Sequence, residues 1–356
     1  MTIQERKPMP ATPTASRGRL ITGAIALAAT TALLAGCAGS PSTPSATTPA
    51  GEASSAFPLT ISSALGDAVI ASEPSRVATW GWGATDAVIA LGVTPVAIPS
   101  DDYSGGDDRI APWVEEGLAS LGGESPLVLD GSAYTLSTEE LLTATPDVLL
   151  APYSGITQEE FDEVTGAGVP VVAYPDAAWT TPWRDVVKLV GEALGKSAEA
   201  EKVLDDLDAL VADAGKAHPE FEGTSIALLT ESAGTYYVYL PSDPRVEILE
   251  DLGFVTPQSV TDLDTGEGTF YTTVSPENLD KIDADVVLAF GETQDAFDAF
   301  VSSDSGRLIP AVAEGSVAGL IGPEEISSLS PTPLTLPYAL NGIVEKLAAA
   351  TAVAQS

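Results

Sequence analysis

Two kinds of side chain in this 356-residue sequence have the type and placement to hold a ligand. Trp80 with Trp82, Tyr103, Tyr153 and Trp179 each follow a short apolar run that reads as a β-strand, and each offers a flat face for stacking. Arginines are scarce: after residue 36 only Arg76, Arg109, Arg184, Arg245 and Arg307 occur. Arg109 lies close behind Tyr103, and Arg245 closes the stretch Leu240-Pro241-Ser242-Asp243-Pro244-Arg245, where a helix ending at Gly253 is expected. A guanidinium in such a loop is a candidate anion contact through its forked N–H donors, although Arg245 is equally suited to pair with Glu247 or Glu250. Tyr236, in the strand Tyr236-Tyr237-Val238-Tyr239 whose side chains alternate between faces, is a further ligand-binding candidate. Core packing is the commoner fate of any one aromatic residue, but the set describes a broad, flat-walled site rather than a polar sugar pocket. Catalytic chemistry finds little support. There is no G-x-S-x-G elbow, and the single histidine, His218, has no plausible catalytic nucleophile and acid nearby in sequence, so a secreted hydrolase is a remote alternative and no enzyme activity is expected.

The elements that must position these groups alternate between strand and helix. After a hairpin over residues 59–70, strands are predicted at 76–79, 96–98, 148–151 and 169–173, with helices at 84–91, 138–143, 158–165 and 183–194. That alternation argues for a parallel sheet, in which ligands bind beyond the carboxyl ends of the strands, where the aromatic residues fall. The second half repeats the grammar, with strands at 225–230, 236–240, 286–290 and 316–320 and a closing amphipathic helix at 334–350. Between the halves, Val203, Leu204, Leu207, Leu210 and Val211 recur at helical spacing through residues 197–218, with no Gly or Pro before Gly215. Such a helix spans about 30 Å at roughly 1.5 Å per residue, and it holds two lobes at a nearly fixed angle. The fold class is therefore α/β: two lobes, each a parallel-sheet α/β sandwich, joined by one long rigid α-helix. The boundaries are 57–194 for the first lobe, 195–218 for the helix and 219–356 for the second lobe.

Residues 1–36 read as an export signal, with Arg17 and Arg19 flanking an apolar run to Leu34 that is too short for a comfortable membrane span. Leu34-Ala35-Gly36-Cys37 ends that run at the only cysteine, a pattern similar to the bacterial lipobox, and makes Cys37 the expected lipidation site. Residues 37–56, rich in Ser, Thr, Pro, Gly and Ala, read as a disordered tether. A single cysteine excludes an internal disulfide. Of 15 basic and 51 acidic residues the leader holds four and one, so the remainder carries a formal charge of −39, which disfavours nucleic acid and anionic lipid as partners.

An internal repeat stands out. Leu136-Ser137-Thr138-Glu139-Glu140-Leu141 precedes Pro146-Asp147-Val148-Leu149-Leu150-Ala151, and Val274-Ser275-Pro276-Glu277-Asn278-Leu279 precedes Ala284-Asp285-Val286-Val287-Leu288-Ala289, at a constant offset of 138 residues. One glutamate in a first helical turn is commonly a dipole partner, whereas a symmetric pair on two lobes suggests a two-point docking surface.

Arg76-Val77-Ala78-Thr79-Trp80-Gly81-Trp82-Gly83-Ala84-Thr85-Asp86, continuing to Leu91-Gly92-Val93-Thr94-Pro95-Val96, resembles the opening of the iron–siderophore binding proteins of ABC importers. Pro170-Val171-Val172-Ala173-Tyr174-Pro175 with Trp179 and Trp183, Asp243-Pro244-Arg245 with Leu252-Gly253-Phe254, and Leu329-Ser330-Pro331 to Tyr338-Ala339-Leu340 are similar to that family's pattern. The resemblance, over residues 57–350, implies the class III periplasmic-binding-protein fold shared with cobalamin and haem binders. It implies a monomer with no cofactor, lipid-anchored outside a Gram-positive cytoplasmic membrane. Its ligand would be an Fe(III)–siderophore stacked on Trp80, Tyr103, Tyr153 and Trp179, with Arg109 and Arg245 neutralising the ligand oxygens and no direct protein–metal bond. Glu139 and Glu277 would dock on arginines of the ABC permease. Fewer basic residues are present than in family members that bind ferric catecholates, so the siderophore type stays open. A haem-binding or cobalamin-binding lipoprotein of a related importer is the alternative, haem taking Tyr103 or Tyr153 as axial ligand and His218 being more simply a helix-terminal dipole partner.

Overall fold

The computed structural model describes residues 57–266 and 270–356; the leader, the tether and Cys37 lie outside the described residues. The chain opens with the hairpin β1 (Leu59–Ser62) and β2 (Asp67–Ile70). Strands and helices then alternate: β3 (Val77–Thr79), α1 (Ala84–Ala90), β4 (Ala97–Pro99), α2 (Pro112–Leu121), β5 (Leu127–Leu129), α3 (Thr138–Thr143), β6 (Val148–Leu150), α4 (Gln158–Gly166), β7 (Val171–Val172) and α5 (Trp183–Ala193). The five strands from β3 onward pair in parallel in the order β5-β4-β3-β6-β7. Both faces of this sheet are covered, which is why its strands are apolar throughout: Val77, Val148 and Leu150 enter one core, Ala78 and Leu149 the other.

The expected connecting helix is α6 (Ser197–Ala217), 21 residues long. Its buried residues Ala200, Leu204, Leu207 and Val211 fall at helical spacing on one stripe. They share one apolar cluster with Val148 and Leu150 of the first sheet and with Leu228 and Leu288 of the second. Each buried Leu or Val there contributes roughly 1.5–3 kcal/mol.

The second half comprises β8 (Ile226–Ser232), β9 (Thr235–Tyr239), α7 (Pro244–Asp251), α8 (Gln258–Thr261), β10 (Tyr271–Val274), β11 (Val286–Gly291), α9 (Gln294–Ser302), α10 (Pro310–Glu314), β12 (Val317–Ile321), α11 (Gly322–Ser328) and α12 (Thr335–Ala354). Its sheet order is β10-β9-β8-β11-β12. The expectation of a parallel sheet in each lobe holds for the first and is corrected for the second, whose β8, β9 and β10 are antiparallel. Ala233 (φ 51°) and Gly234 (φ 81°) reverse the chain in two residues, far too short for the crossover that a parallel pair requires.

Two further features tie the lobes together. Arg184 on α5 pairs with Asp208 on α6 (2.8 Å) and with Asp251 (3.0 Å) and Glu247 on α7. After α11 the chain returns to the first lobe, where the Thr332 hydroxyl donates to Asp86 Oδ1 (2.6 Å) and Leu334 and Tyr338 pack near Ile89 and Trp113. Assigning all of 219–356 to the second lobe therefore overlooks this return.

The repeat has a structural half. Asp147 accepts from the Ser75 N–H (2.8 Å) and O–H (2.9 Å) and from the Arg76 N–H (3.0 Å), and Asp285 accepts from the Ser225 N–H (2.8 Å) and O–H (2.6 Å). Each aspartate clamps the start of a central strand, β3 or β8, to its parallel neighbour. The glutamates have no such task. Glu139 is exposed in the first turn of α3, where Ser137 caps the next residue, and Glu277 is exposed in a short 3₁₀ turn, Pro276–Lys281.

Candidate ligand-binding site

Each strand of the first sheet ends at the same edge, and the loop after each carries one aromatic residue to that edge. Trp82 follows β3, Tyr103 follows β4, Tyr134 follows β5, Tyr153 follows β6 and Trp179 follows β7. A cleft of about 550 Å³ opens there, lined by Trp82, Tyr103, Trp113 and Tyr134 from the first lobe, Arg245 from the second and the returning segment around Thr332. Trp82, Tyr153, Trp179 and Tyr134 form a continuous row, with centroid separations of 6.3, 5.7 and 6.1 Å. Trp82 is 59% exposed and Tyr134 66%, far more than rings used for core packing.

The local chain is shaped to present these rings. A Cβ at Gly81 would meet the Tyr153 carbonyl oxygen at 2.2 Å, and φ there is 83°; only glycine lets the β3 and β6 loops close together, held by Trp82 N–H donating to the Tyr153 carbonyl (2.9 Å). The bare Gly155 likewise admits the Trp179 indole, whose Nε1 lies 2.6 Å from where a Cβ would sit. Among the described residues five non-glycines have a left-handed backbone, and three of them, Arg109, Tyr134 and Trp179, stand at this rim. Such conformations cost about 1 kcal/mol or more each and persist only where surrounding contacts enforce them.

The loop after β4 is built on Asp101, whose carboxylate accepts from the Tyr103 N–H (3.0 Å) and the Ser104 N–H (2.8 Å), while Asp101 N–H donates to the Arg109 carbonyl (2.8 Å). Tyr103 projects from it, 46% exposed, and its hydroxyl donates to Glu292 Oε1 (2.9 Å) just beyond β11, a contact between the lobes across the mouth. Burial and the Glu292 carboxylate push the Tyr103 phenol well above its ordinary range.

The sequence-predicted residues sort unevenly. Tyr103 and Arg245 line the cleft, and Tyr153 and Trp179 belong to the aromatic row. Trp80 does not line it: its N–H donates to the Leu150 carbonyl, extending the β3–β6 ladder, and its ring is 3% exposed in the core beneath. Tyr236 is also a core residue, 5% exposed, packed on Phe300 with its hydroxyl bonded to Ser305 (3.1 Å). The alternation along β9 turns Tyr236 to the far face of the sheet and leaves Tyr239 beneath Arg245.

Neither arginine is an unengaged anion contact. Arg109 is paired with Asp102 and with Asp130 (2.7 Å), and it donates to Ser100 Oγ (2.9 Å); the guanidinium pulls the Asp130 carboxyl down to about 2 and lowers Asp102 as well. Arg245 meets both oxygens of Asp243 (2.8 and 2.7 Å), not Glu247 or Glu250, and lies 4.2 Å over the Tyr239 ring. Asp243 also caps α7, with Pro244 in the first position, so one carboxylate fixes both the helix start and the guanidinium. Burial opposes the Arg245 charge, but Asp243 outweighs it and holds the group protonated.

Two groups escaped the sequence reading: Tyr134 follows a strand of only three residues, and Asp86 lies at the cleft floor, 6% exposed, with burial raising its carboxyl to about 6. Of the two tryptophans after β3, Trp82 rather than Trp80 reaches the cleft, because the positive φ of Gly81 breaks strand alternation. His218 stands at the end of α6, with Nδ1 2.8 Å from Glu220 and its ring stacked on Phe221.

The sequence profile of the periplasmic binding protein family matches residues 77–322, a span that begins at β3 and reaches into α11. The chain belongs to this family. Among its relatives is a probable siderophore-binding lipoprotein of Bacillus subtilis, YfiY, 25% identical over 242 residues, which make up 67% of this chain and 70% of that protein. Among solved structures, PiaA of Streptococcus pneumoniae in complex with ferrichrome is 30% identical and superposes with a TM-score of 0.73, covering 83% of this chain and 99% of that one. SirA of Staphylococcus aureus complexed with staphyloferrin B shares the fold, with a TM-score of 0.63 at 21% identity over 81% of this chain and 98% of that one. Family members bind solutes rather than transform them, and the family is extracytoplasmic. Among the described residues no helix is long and apolar enough to cross a membrane.

Proposed function

We propose that this chain is the solute-binding lipoprotein of an ABC importer: it captures a ferric siderophore in the inter-lobe cleft and delivers it to the permease. The observation that carries this reading is the row of rings Trp82, Tyr153, Trp179 and Tyr134, of which all but the half-buried Tyr153 are exposed, beside a cleft of about 550 Å³. A rigid, bulky iron complex with apolar flanks is matched by fixed aromatic faces that lose little entropy on binding. The siderophore encloses the iron, so the protein's task is shape and stacking. The relatives add weight: YfiY carries the name of a probable siderophore-binding lipoprotein and PiaA was solved with ferrichrome. Lipid on Cys37 would tether the mature chain to the outer face of the membrane through the segment 38–56. The monomer would dock on the permease through Glu139 and Glu277, one exposed carboxylate per lobe. The α6 strut and the Arg184 ion pairs favour small lobe movements, so release would depend on the permease parting the lobes.

Tryptophan fluorescence of the chain from Ala38 onward, titrated with ferric hydroxamates, ferric catecholates, ferric citrate and haemin, tests the reading. All five tryptophans precede α6, so quenching reports on the first lobe, where Trp82 and Trp179 stand in the aromatic row. Saturable quenching by a ferric siderophore, weakened in Trp179→Ala, is the expected result. Saturation by haemin alone, with a haem absorbance shift, would overturn it.

A further inference from the structure

Both arginines near the cleft are compensated by the chain's own carboxylates. Arg109 is shared between Asp102 and Asp130, and Arg245 is held by both oxygens of Asp243. Asp101 and Glu292 add negative charge to the same rim, so two guanidinium groups face five carboxylates before Asp86 on the floor is counted. The surrounding surface deepens the field, since the sequence beyond the leader carries a formal charge of −39.

The charge of a ferric siderophore is set by its donor groups. Three hydroxamates cancel the charge of Fe(III), a pendant ammonium makes such a complex cationic, and three catecholates leave it tri-anionic. We propose that Asp102, Asp130 and Asp243 are charge-selectivity residues: by neutralising Arg109 and Arg245 they tune the cleft to uncharged or cationic ferric hydroxamates and turn away anionic ferric catecholates and carboxylates. A paired guanidinium keeps N–H donors for a hydroxamate carbonyl while offering no net attraction to an anion. The inference rests on the siderophore reading above and narrows it to one ligand class.

The test uses the chain from Ala38 onward with three probes: ferrichrome, which is uncharged, ferrioxamine B, which carries a pendant ammonium, and tri-anionic ferric enterobactin. The unaltered protein should bind ferrichrome or ferrioxamine B at least about a hundredfold more tightly than ferric enterobactin. Asp102→Asn with Asp130→Asn, both exposed side chains, should strengthen ferric enterobactin binding by roughly tenfold or more and change ferrichrome binding by less than about twofold. Arg109→Gln should move ferric enterobactin the opposite way. Glu199→Gln with Asp205→Asn on the exposed side of α6 makes the same change in net charge and should leave the ratio unmoved. Equal affinity of the unaltered protein for ferrichrome and ferric enterobactin would overturn the inference while leaving the siderophore reading intact, as would equal shifts from the rim and α6 variants. Binding of ferric citrate with failure of all three complexes would overturn the inference alone, and failure of ferric citrate as well would overturn both.

Discussion

The first lobe sends every strand of its sheet toward the cleft, and the loops after β3 to β7 deliver Trp82, Tyr103, Tyr134, Tyr153 and Trp179. The second lobe has the same strand order about a central strand but reverses β8 into β9 through Ala233-Gly234, and so gives up a rim loop. Its aromatic residues turn inward or sideways: Tyr236 is buried, and Tyr239 with Phe290 supports Arg245 from below. The aromatic wall thus belongs to one lobe, while the other supplies a single compensated cation and, with α11 and the returning segment, part of the floor. Matching strand order does not carry matching chemistry; the length of the connection after a strand decides whether that strand end can hold a ligand.

The largest effect is expected at a feature the lobes share, the exposed glutamate of the repeat. Glu139→Ala with Glu277→Ala should abolish iron uptake in cells while ferrichrome affinity, measured by fluorescence, stays within about twofold; a parallel loss of affinity would remove the docking role. At the rims the lobes should differ sharply. Trp82→Ala with Trp179→Ala removes two wall residues at about 2 kcal/mol each and should weaken ferrichrome roughly a thousandfold, whereas Tyr236→Phe, in the second core, should change it by less than about twofold.

Asp86 probes the floor between the lobes. Because burial raises its carboxyl from 3.8 to about 6, the folded state holds the proton more tightly than the unfolded state. Its contribution to stability is therefore most favourable below about pH 4, declines as pH rises toward 6, and stays at its low value above that. Asp86→Asn should match the unaltered protein near pH 4 in urea unfolding and exceed it by about 2–3 kcal/mol above pH 7. The smallest contrast is between two glycines of positive φ. Gly81→Ala, against the Tyr153 carbonyl, should cost about 2 kcal/mol or more, and Gly234→Ala, at the open hairpin, about 1 kcal/mol, both read as shifts in urea midpoint.

Much of this architecture is legible in the sequence. The 59–70 hairpin, four strands of each sheet, the connecting helix and the closing helix follow from apolar periodicity and turn residues. What escaped were elements with weak local signals. Leu127–Leu129 is three residues long, Pro112–Leu121 carries Gly117 within it, and Tyr271–Val274 pairs only at a sheet edge. The rule that an aromatic residue follows each strand end extends to Tyr134 once β5 is known. Choosing Trp80 over Trp82 failed for another reason: the fate of both rings hangs on the backbone of the glycine between them, which no pattern of side chains reveals. The arginines were visible but their partners were not, since Asp102, Asp130 and Asp243 matter through contacts that only the fold creates.

The apolar cluster around α6 joins residues from Ile61 to Ala350 without a break between the lobes. Two bodies that share a core cannot lose it separately, so the molecule should melt in a single cooperative transition, with calorimetric and van't Hoff enthalpies in agreement. Damage to the second lobe, which contains no tryptophan, would then be reported faithfully by the tryptophans of the first.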